Sequence, residues 1–344
     1  MLAADAGLAA TTVVTGPPFA WRHRARLAVR GRATSPKVGI FQEGTHRIVD
    51  IPQCLVHHPR INVVAAAAKA AIRATGVAPY ADAPHRGLVR YLQVVVERPT
   101  GRAQVVVVAN ADDPASTRAF TTALAEAVGG DLHSLWWNGN PERTNVILGS
   151  RWERLAGEDM LCETIGGAEV FFPPGAFGQA NLPLADRMAE QVSAWVPDGV
   201  TVAELYAGCG ALGLGLARRV ARITFNEAAP AAVAGLERGI AALPVSDRVR
   251  AAVRPGPAAG ALAALDGADV VIVDPPRRGV DAAVLQRLIA APPQRLVAVS
   301  CNLDAFLREA AMYLAAGLVL RALVPFALFP HTDHVETVAV FERS

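Results

Sequence analysis

Two periodicities divide this chain. From residue 18 to about 165, short apolar runs of strand length recur, LQVVVE and QVVVVAN among them, and one alanine-rich helical run, INVVAAAAKAAIRA, interrupts them. Strands carrying one helix predict an α+β module. From 183 onward helix and strand alternate: LADRMAEQVSAWV, VAELY, LGLGLARRV, ITFNE, AAVAGLERGIAAL, DVVIVD, VLQRLIA, LVAVS and LDAFLREAAMYLAA. Apolar strands separated by helical runs predict an α/β, doubly wound Rossmann-like sheet. The expected division is a disordered leader over 1–16, an α+β domain over 17–165 and an α/β domain over 166–344.

In an open α/β sheet ligands bind outside the carboxyl ends of the strands, so the polar breaks after the strand runs are where chemistry is expected. After VAELY come Gly208, Gly210 and Gly213, a turn that lets backbone amides approach a ligand at a helix N-terminus. Roughly twenty residues on, Glu227 ends ITFNE, where an acidic side chain can take both ribose hydroxyls of a nucleoside cofactor. GCGALG alone fits an ordinary tight turn or a nicotinamide site equally well. Its place past the middle of the chain, and DPPRRG at the end of the following ADVVIVD strand, argue against a dehydrogenase. There Asp274 precedes Pro275 and Pro276, a rigid polar corner suited to a planar substrate. Finally, LVAVS delivers Cys301 to a turn and Glu336 opens the TVAVF run, pairing a nucleophile with a base. A lone cysteine is more often a small buried hydrophobe; the strand end is what singles Cys301 out.

Taken in order, FGQAN, ELYAGCG, FNE, DPPRRG, SCN and FPHTDHVE resemble the bacterial RNA uracil-5-methyltransferases that use S-adenosylmethionine, over a match from about residue 17 to the end. IVDIPQCLVHHPRIN and VAPYADAPHRGLVRYLQVVVE are similar to the central domain of the shorter ribosomal-RNA members. The resemblance implies a class I methyltransferase domain behind an RNA-binding module, acting on carbon 5 of a uridine. The expected substrate is 23S ribosomal RNA, with transfer RNA as the alternative. It also implies roles: Gln179, Tyr206 and Glu227 contact the cofactor, and Asp274 lies between cofactor and base. Cys301 adds to carbon 6, and Glu336 removes the carbon 5 proton. An ordinary thiol, with a pKa near 8.5, is only a few per cent thiolate at neutral pH, so some local activation of Cys301 is expected. A non-catalytic RNA-binding paralogue is the other class of reading; joint retention of nucleophile and base favours the enzyme.

Three departures qualify the match. The family's trio of closely spaced cysteines near the N-terminus is missing, and the four cysteines, Cys54, Cys162, Cys209 and Cys301, show no C-x-x-C spacing. Neither an iron–sulfur cluster nor another metal site is expected. VRPGPAAG lacks the acidic or amide residue often found near the adenine, and Ala211 replaces a polar residue of the glycine turn.

Composition agrees with two domains of full core, at 344 residues and 52% apolar. No run reaches the roughly 18 apolar residues of a membrane span, and MLAADAGLAATTVV has no basic start. Few, scattered cysteines fit a reducing compartment, so a cytoplasmic monomer is the expectation. A net charge of +2 does not by itself imply nucleic acid, and its distribution says more. In AWRHRARLAVRGR, Arg22, Arg24, Arg26, Arg30 and Arg32 share one strand face, with Trp21, Leu27 and Val29 on the other. That is a phosphate-tracking face, with Arg22, Arg24 and Arg26 as candidate RNA contacts, or a solvated edge with protective charges.

Overall fold

The computed structural model describes residues 11–45 and 47–344. They form two units, 18–161 and 162–344, the second also including the described residues up to Pro17. In the first unit β1 (Arg24–Arg32), β2 (Ser35–Phe41), β3 (Ile48–Asp50), α1 (Pro59–Thr75), β4 (Val89–Val96), β5 (Ala103–Ala109), α2 (Arg118–Val128), β6 (Leu132–Gly139) and β7 (Arg151–Gly157) follow in order. The sheet order is β3-β2-β1-β4-β5-β6-β7. Its pairings are antiparallel except β5 with β6, the parallel pair that α2 connects.

Period-two alternation builds the core. Ala25, Leu27 and Val29, with Leu92, Val94 and Val96 and with Val105 and Val107, point to one side and meet Ile61, Val64, Ala68 and Ile72 of α1. The helix is well delimited: His58 caps it by accepting from the Arg60 amide at 3.2 Å, Pro59 sits in its first turn, and Gly76 ends it at φ 71°. A second helix, α2, was not expected from the pattern. Its run RAFTTALAEAV is short and contains two threonines, yet Phe120, Thr121, Leu124 and Val128 are buried at helical spacing.

The second unit contains the hairpin β8 (Leu161–Ile165) and β9 (Ala168–Phe172), turning at Gly166 and Gly167, both at positive φ. There follow α3 (Leu182–Ala194), β10 (Thr201–Leu205), β11 (Arg222–Glu227), α4 (Pro230–Ala242), β12 (Ala251–Pro255), β13 (Val270–Val273), α5 (Ala282–Ala290), β14 (Arg295–Ser300), α6 (Leu303–Ala315), β15 (Leu318–Phe326) and β16 (Glu336–Arg343). The sheet order is β12-β11-β10-β13-β14-β16-β15. Strands β10 to β14 run parallel, and β16 inserts antiparallel between β14 and β15. The strand order reverses between β10 and β13, which makes the ends of those strands the topological switch point.

Two expectations are corrected here. LGLGLARRV does not form an α-helix; Leu214–Arg218 is a 3₁₀ segment. Glycines cost about 1 kcal/mol each in a helix, and here they admit close neighbours: a Cβ on Gly213 would meet the Glu204 carboxyl, and one on Gly215 the carbonyl of Gly166. The leader expected over 1–16 does not hold for 11–16. The Val14 amide donates to the Pro325 carbonyl at 2.8 Å and its carbonyl accepts from Ala327 at 2.9 Å, while Arg187 donates to the Thr15 carbonyl. Residues 1–10 lie outside the described residues. Among the described residues no helix is long and apolar enough to cross a membrane.

Candidate active site

The carboxyl ends of β13 and β14 and the start of β16 bring three ionisable groups together. Ser300 closes β14 paired with Thr337, so the next position outward sets Cys301 opposite Glu336. The Ser300 hydroxyl accepts from the Asn302 amide and donates to its carbonyl, and the Asn302 side chain caps α6 by accepting from Ala305 at 3.1 Å. The cysteine is thereby held between a strand end and a helix cap, and it is half-buried. Glu336 is only 4% exposed. Asp274 follows β13, set deep but with some surface still open.

Electrostatics oppose ionisation at all three. Burial, and then the Asp274 charge, push Glu336 up to about 8. Burial alone pushes Asp274 to about 7. Burial, then Glu336 and Asp274, raise the Cys301 thiol, against the lowering charge of Arg277. Burial first, and the two acids after it, thus outweigh Arg277, and these neighbours do not supply the activation expected from sequence. Such groups titrate together, and a cation arriving among them favours every ionised form at once. The arrangement can supply a thiol nucleophile and a carboxyl group able to take up or give back a proton near neutrality.

At the switch point, the ends of β10 and β11 hold a different set. The Glu227 carboxylate accepts from the amides of Gly208 at 2.8 Å, Ala228 at 2.8 Å and Ala229 at 2.7 Å. This fixes its orientation and leaves about one lone pair, on Oε2, for an outside donor. Gly208 takes φ 55° beside it. Tyr206 adopts φ 60°, a conformation a non-glycine residue holds only when its surroundings enforce it. Its hydroxyl donates to Asp281 Oδ2 at 3.2 Å and accepts from the Asp281 amide at 3.0 Å. Burial raises it to about 12, so it stays a neutral phenol. The Asn226 side chain donates to the carbonyls of Arg254 and Gly256 and closes the VRPGPAAG loop.

Sequence reasoning missed three residues here. Asp281 locks Tyr206 and pairs with Arg278 at 2.8 Å. Glu309 of α6 accepts from the Val280 amide at 2.7 Å and so tethers the loop that carries Asp274. Glu204 is 1% exposed, with Oε2 unpartnered, and burial and then Asp274 raise it well above the ordinary carboxylate range. DPPRRGVD places an acid seven residues after Asp274, the one sequence signal that pointed to Asp281.

Gln179 lies half-buried between β9 and α3. Two residues on, Asn181 caps α3 and donates to the Leu328 carbonyl at 3.1 Å. Hydrogen bonds among the described residues do not link Gln179 to Tyr206, Glu227 or Asp274.

The candidate RNA arginines belong to the other unit and are not a uniform ribbon. Arg30 is 8% exposed and gives both a 2.7 Å and a 3.0 Å bond to Asp82. The arginine face expected from even numbering is broken there, because Asp82 neutralises Arg30. Arg22 is half-buried over the Trp21 ring, 4.9 Å from its centroid, and Arg24 is half-buried. Arg26 is exposed while its Nε donates to Gln93. Among the described residues no group of three or more His, Cys, Asp or Glu is placed to hold a metal ion.

The family profile described as tRNA (Uracil-5-)-methyltransferase matches residues 264–344, which contain Asp274, Cys301 and Glu336. An uncharacterized RNA methyltransferase of Protochlamydia amoebophila is 36% identical over 329 residues, covering 94% of this chain and 86% of that one. Another, of Gloeobacter violaceus, is 33% identical over 336 residues, 95% of this chain and 71% of that one. The crystal structure of Pyrococcus abyssi tRNA (uracil-54, C5)-methyltransferase in complex with S-adenosyl-L-homocysteine superposes with a TM-score of 0.82 at 26% identity, covering 99% of this chain and 79% of that one.

Proposed function

Because the chain belongs to the RNA uracil-5-methyltransferase family, we propose that it methylates carbon 5 of a uridine in RNA from S-adenosylmethionine, with 23S ribosomal RNA as the substrate. The observation that carries this is the cross-strand placement of Cys301 and Glu336 beside Asp274. A transfer-RNA uridine is the second reading, favoured by what the Pyrococcus abyssi neighbour acts on.

The residues at the switch point fit the cofactor. The Glu227 carboxylate, oriented by three amides beside the open backbone of Gly208, suits a ribose hydroxyl. Tyr206 and Gln179 would complete the cofactor site, and Asp274 would stand between cofactor and base. When bound, S-adenosylmethionine supplies an electrophilic methyl group on a positively charged sulfur.

The chain's own residues do the rest. Carbon 5 of uracil is a weak nucleophile; addition of Cys301 to carbon 6 as the thiolate, its proton already lost to solvent, shifts the electron pair of the ring double bond towards carbon 5 and its neighbouring carbonyl. Once carbon 5 carries the methyl group, the Glu336 carboxylate takes its proton. The electron pair left behind re-forms the ring double bond as the sulfur–carbon 6 bond breaks, and Cys301 leaves as thiolate. A carboxyl group near 8 suits this task, since the best base has a pKa near the working pH.

RNA carrying 5-fluorouridine tests the reading, because fluorine at carbon 5 cannot leave as a proton. The protein with S-adenosylmethionine should become covalently joined to that RNA through the peptide containing Cys301. Uridine methylation without a covalent complex would refute the cysteine route, and absence of uridine methylation on both ribosomal and transfer RNA would refute the activity.

A further inference from the structure

A cavity of about 690 Å³ opens on the unit 18–161 beside β1 and β4, lined by Arg26, Phe41, Tyr91, Arg143 and Asn145 among others. Arg26 and Tyr91 point away from the core, since their neighbours Ala25, Leu27 and Leu92 face it. The volume lies within the roughly 300–1,000 Å³ of small-ligand sites.

The walls are braced from behind. The Arg30 guanidinium lies 5.3 Å from the Phe41 centroid, 5.1 Å from Tyr80 and 5.2 Å from Tyr91. Asp82 grips it with two bonds, and its Nη1 donates to the carbonyls of Val29 and Arg90. Arg90 lies 4.6 Å from the Tyr80 centroid and donates to the carbonyls of Glu142 and Thr144, on either side of Arg143. His85 bonds the Pro141 carbonyl at 2.8 Å and the Tyr80 hydroxyl at 2.6 Å. The loop presenting Arg143 and Asn145 is thus pinned at three carbonyls, so ligand binding does not bear the cost of ordering it.

Half-buried aromatic rings beside exposed arginines and a free-standing amide match a flat, hydrogen-bonding ring attached to a phosphate. We propose that this cavity takes one unpaired nucleotide of the RNA substrate, with the base against Tyr91 and Phe41 and the phosphates at Arg26 and Arg143. It rests on the RNA reading above and adds a site separate from the Arg22 and Arg24 contacts.

The test measures binding of the full chain to a labelled single-stranded RNA 12-mer of mixed sequence, and to its duplex, across a salt series. Tyr91→Ala should weaken single-strand binding roughly 5- to 150-fold, the range measured for losing one stacked base, while Tyr91→Phe stays within about twofold of wild type. Arg143→Ala, a change on an exposed loop, should flatten the salt dependence by about 0.7 in slope for one lost phosphate contact on a single strand. In methylation assays the KM for RNA should rise with the loss of binding, and the affinity for S-adenosylmethionine should not move. Wild-type affinity and salt slope in both alanine variants would overturn the proposal. So would equal loss with Tyr91→Phe and Tyr91→Ala, or a loss as large on duplex as on single strand. If the 5-fluorouridine test fails while these oligonucleotide results hold, the methylation reading falls and this site stands.

Discussion

Glu336→Gln should stabilise the unliganded protein increasingly as pH rises, although it removes a group proposed to be essential. The glutamate is 4% exposed and its pKa rises from 4.5 to about 8, chiefly by burial and then by the Asp274 charge. The folded state therefore holds this proton more tightly than the unfolded chain. Below about pH 4.5 the carboxyl is neutral in both states and contributes nothing; from there to about pH 8 stability falls as pH rises, because the unfolded chain binds fewer protons. Each tenfold change in proton affinity is worth about 1.4 kcal/mol, so the ceiling is about 5 kcal/mol. Asp274 and Cys301 titrate in the same cluster and share the effect, which lowers the expected value to about 2–5 kcal/mol. Glutamine keeps the shape and never ionises. Urea unfolding of variant and wild type, compared at pH 5, 7 and 9, reads the difference while contributions from groups outside this cluster cancel. A difference that is flat with pH, or that shrinks towards pH 9, would refute the buried, proton-retaining glutamate and the base assigned to it.

Four further outcomes follow from the geometry. Glu227→Ala leaves the amides of Gly208, Ala228 and Ala229 without their acceptor; calorimetry should show at least a tenfold loss of S-adenosylmethionine affinity, roughly 1.4 kcal/mol or more. Gly213→Ala drives a Cβ into the Glu204 carboxyl, so the melting curve should report an overpacking loss of about 1–3 kcal/mol. Arg26→Ala should flatten the salt dependence of RNA binding by about one unit of slope or less, whereas Arg30→Ala should act on stability instead, since it empties the buried space its guanidinium fills among Phe41, Tyr80 and Tyr91.

What could be read from sequence was what is local. Strand ends such as Leu205, Glu227, Val273 and Ser300 announce themselves by the switch from apolar run to polar break, and the carboxyl edge of a parallel sheet needs no more than that. The pairing of Cys301 with Glu336 is different in kind. It depends on β16 entering antiparallel between β14 and β15, which no periodicity encodes; the edges of two apolar runs offer a nucleophile and a base but not their adjacency. Parity likewise assigned the arginines of β1 to a face but could not supply partners; Asp82 arrives 52 residues after Arg30. The helical reading of LGLGLARRV failed because spacing alone was read there, while Gly213 and Gly215 are set by the close neighbours Glu204 and Gly166. Asp281 and Glu309 went unnoticed because each acts through a backbone amide brought near by folding.

The central claim is that Cys301 attacks the base and Glu336 releases the product. Mass spectrometry of the Glu336→Gln variant after reaction with ordinary RNA and S-adenosylmethionine tests it most directly. The expected result is a denaturation-resistant complex in which the peptide containing Cys301 carries a 5-methylated uridine nucleotide, and no such complex from the Cys301→Ala, Glu336→Gln double variant. Free 5-methylated RNA released by Glu336→Gln at the wild-type rate would contradict it.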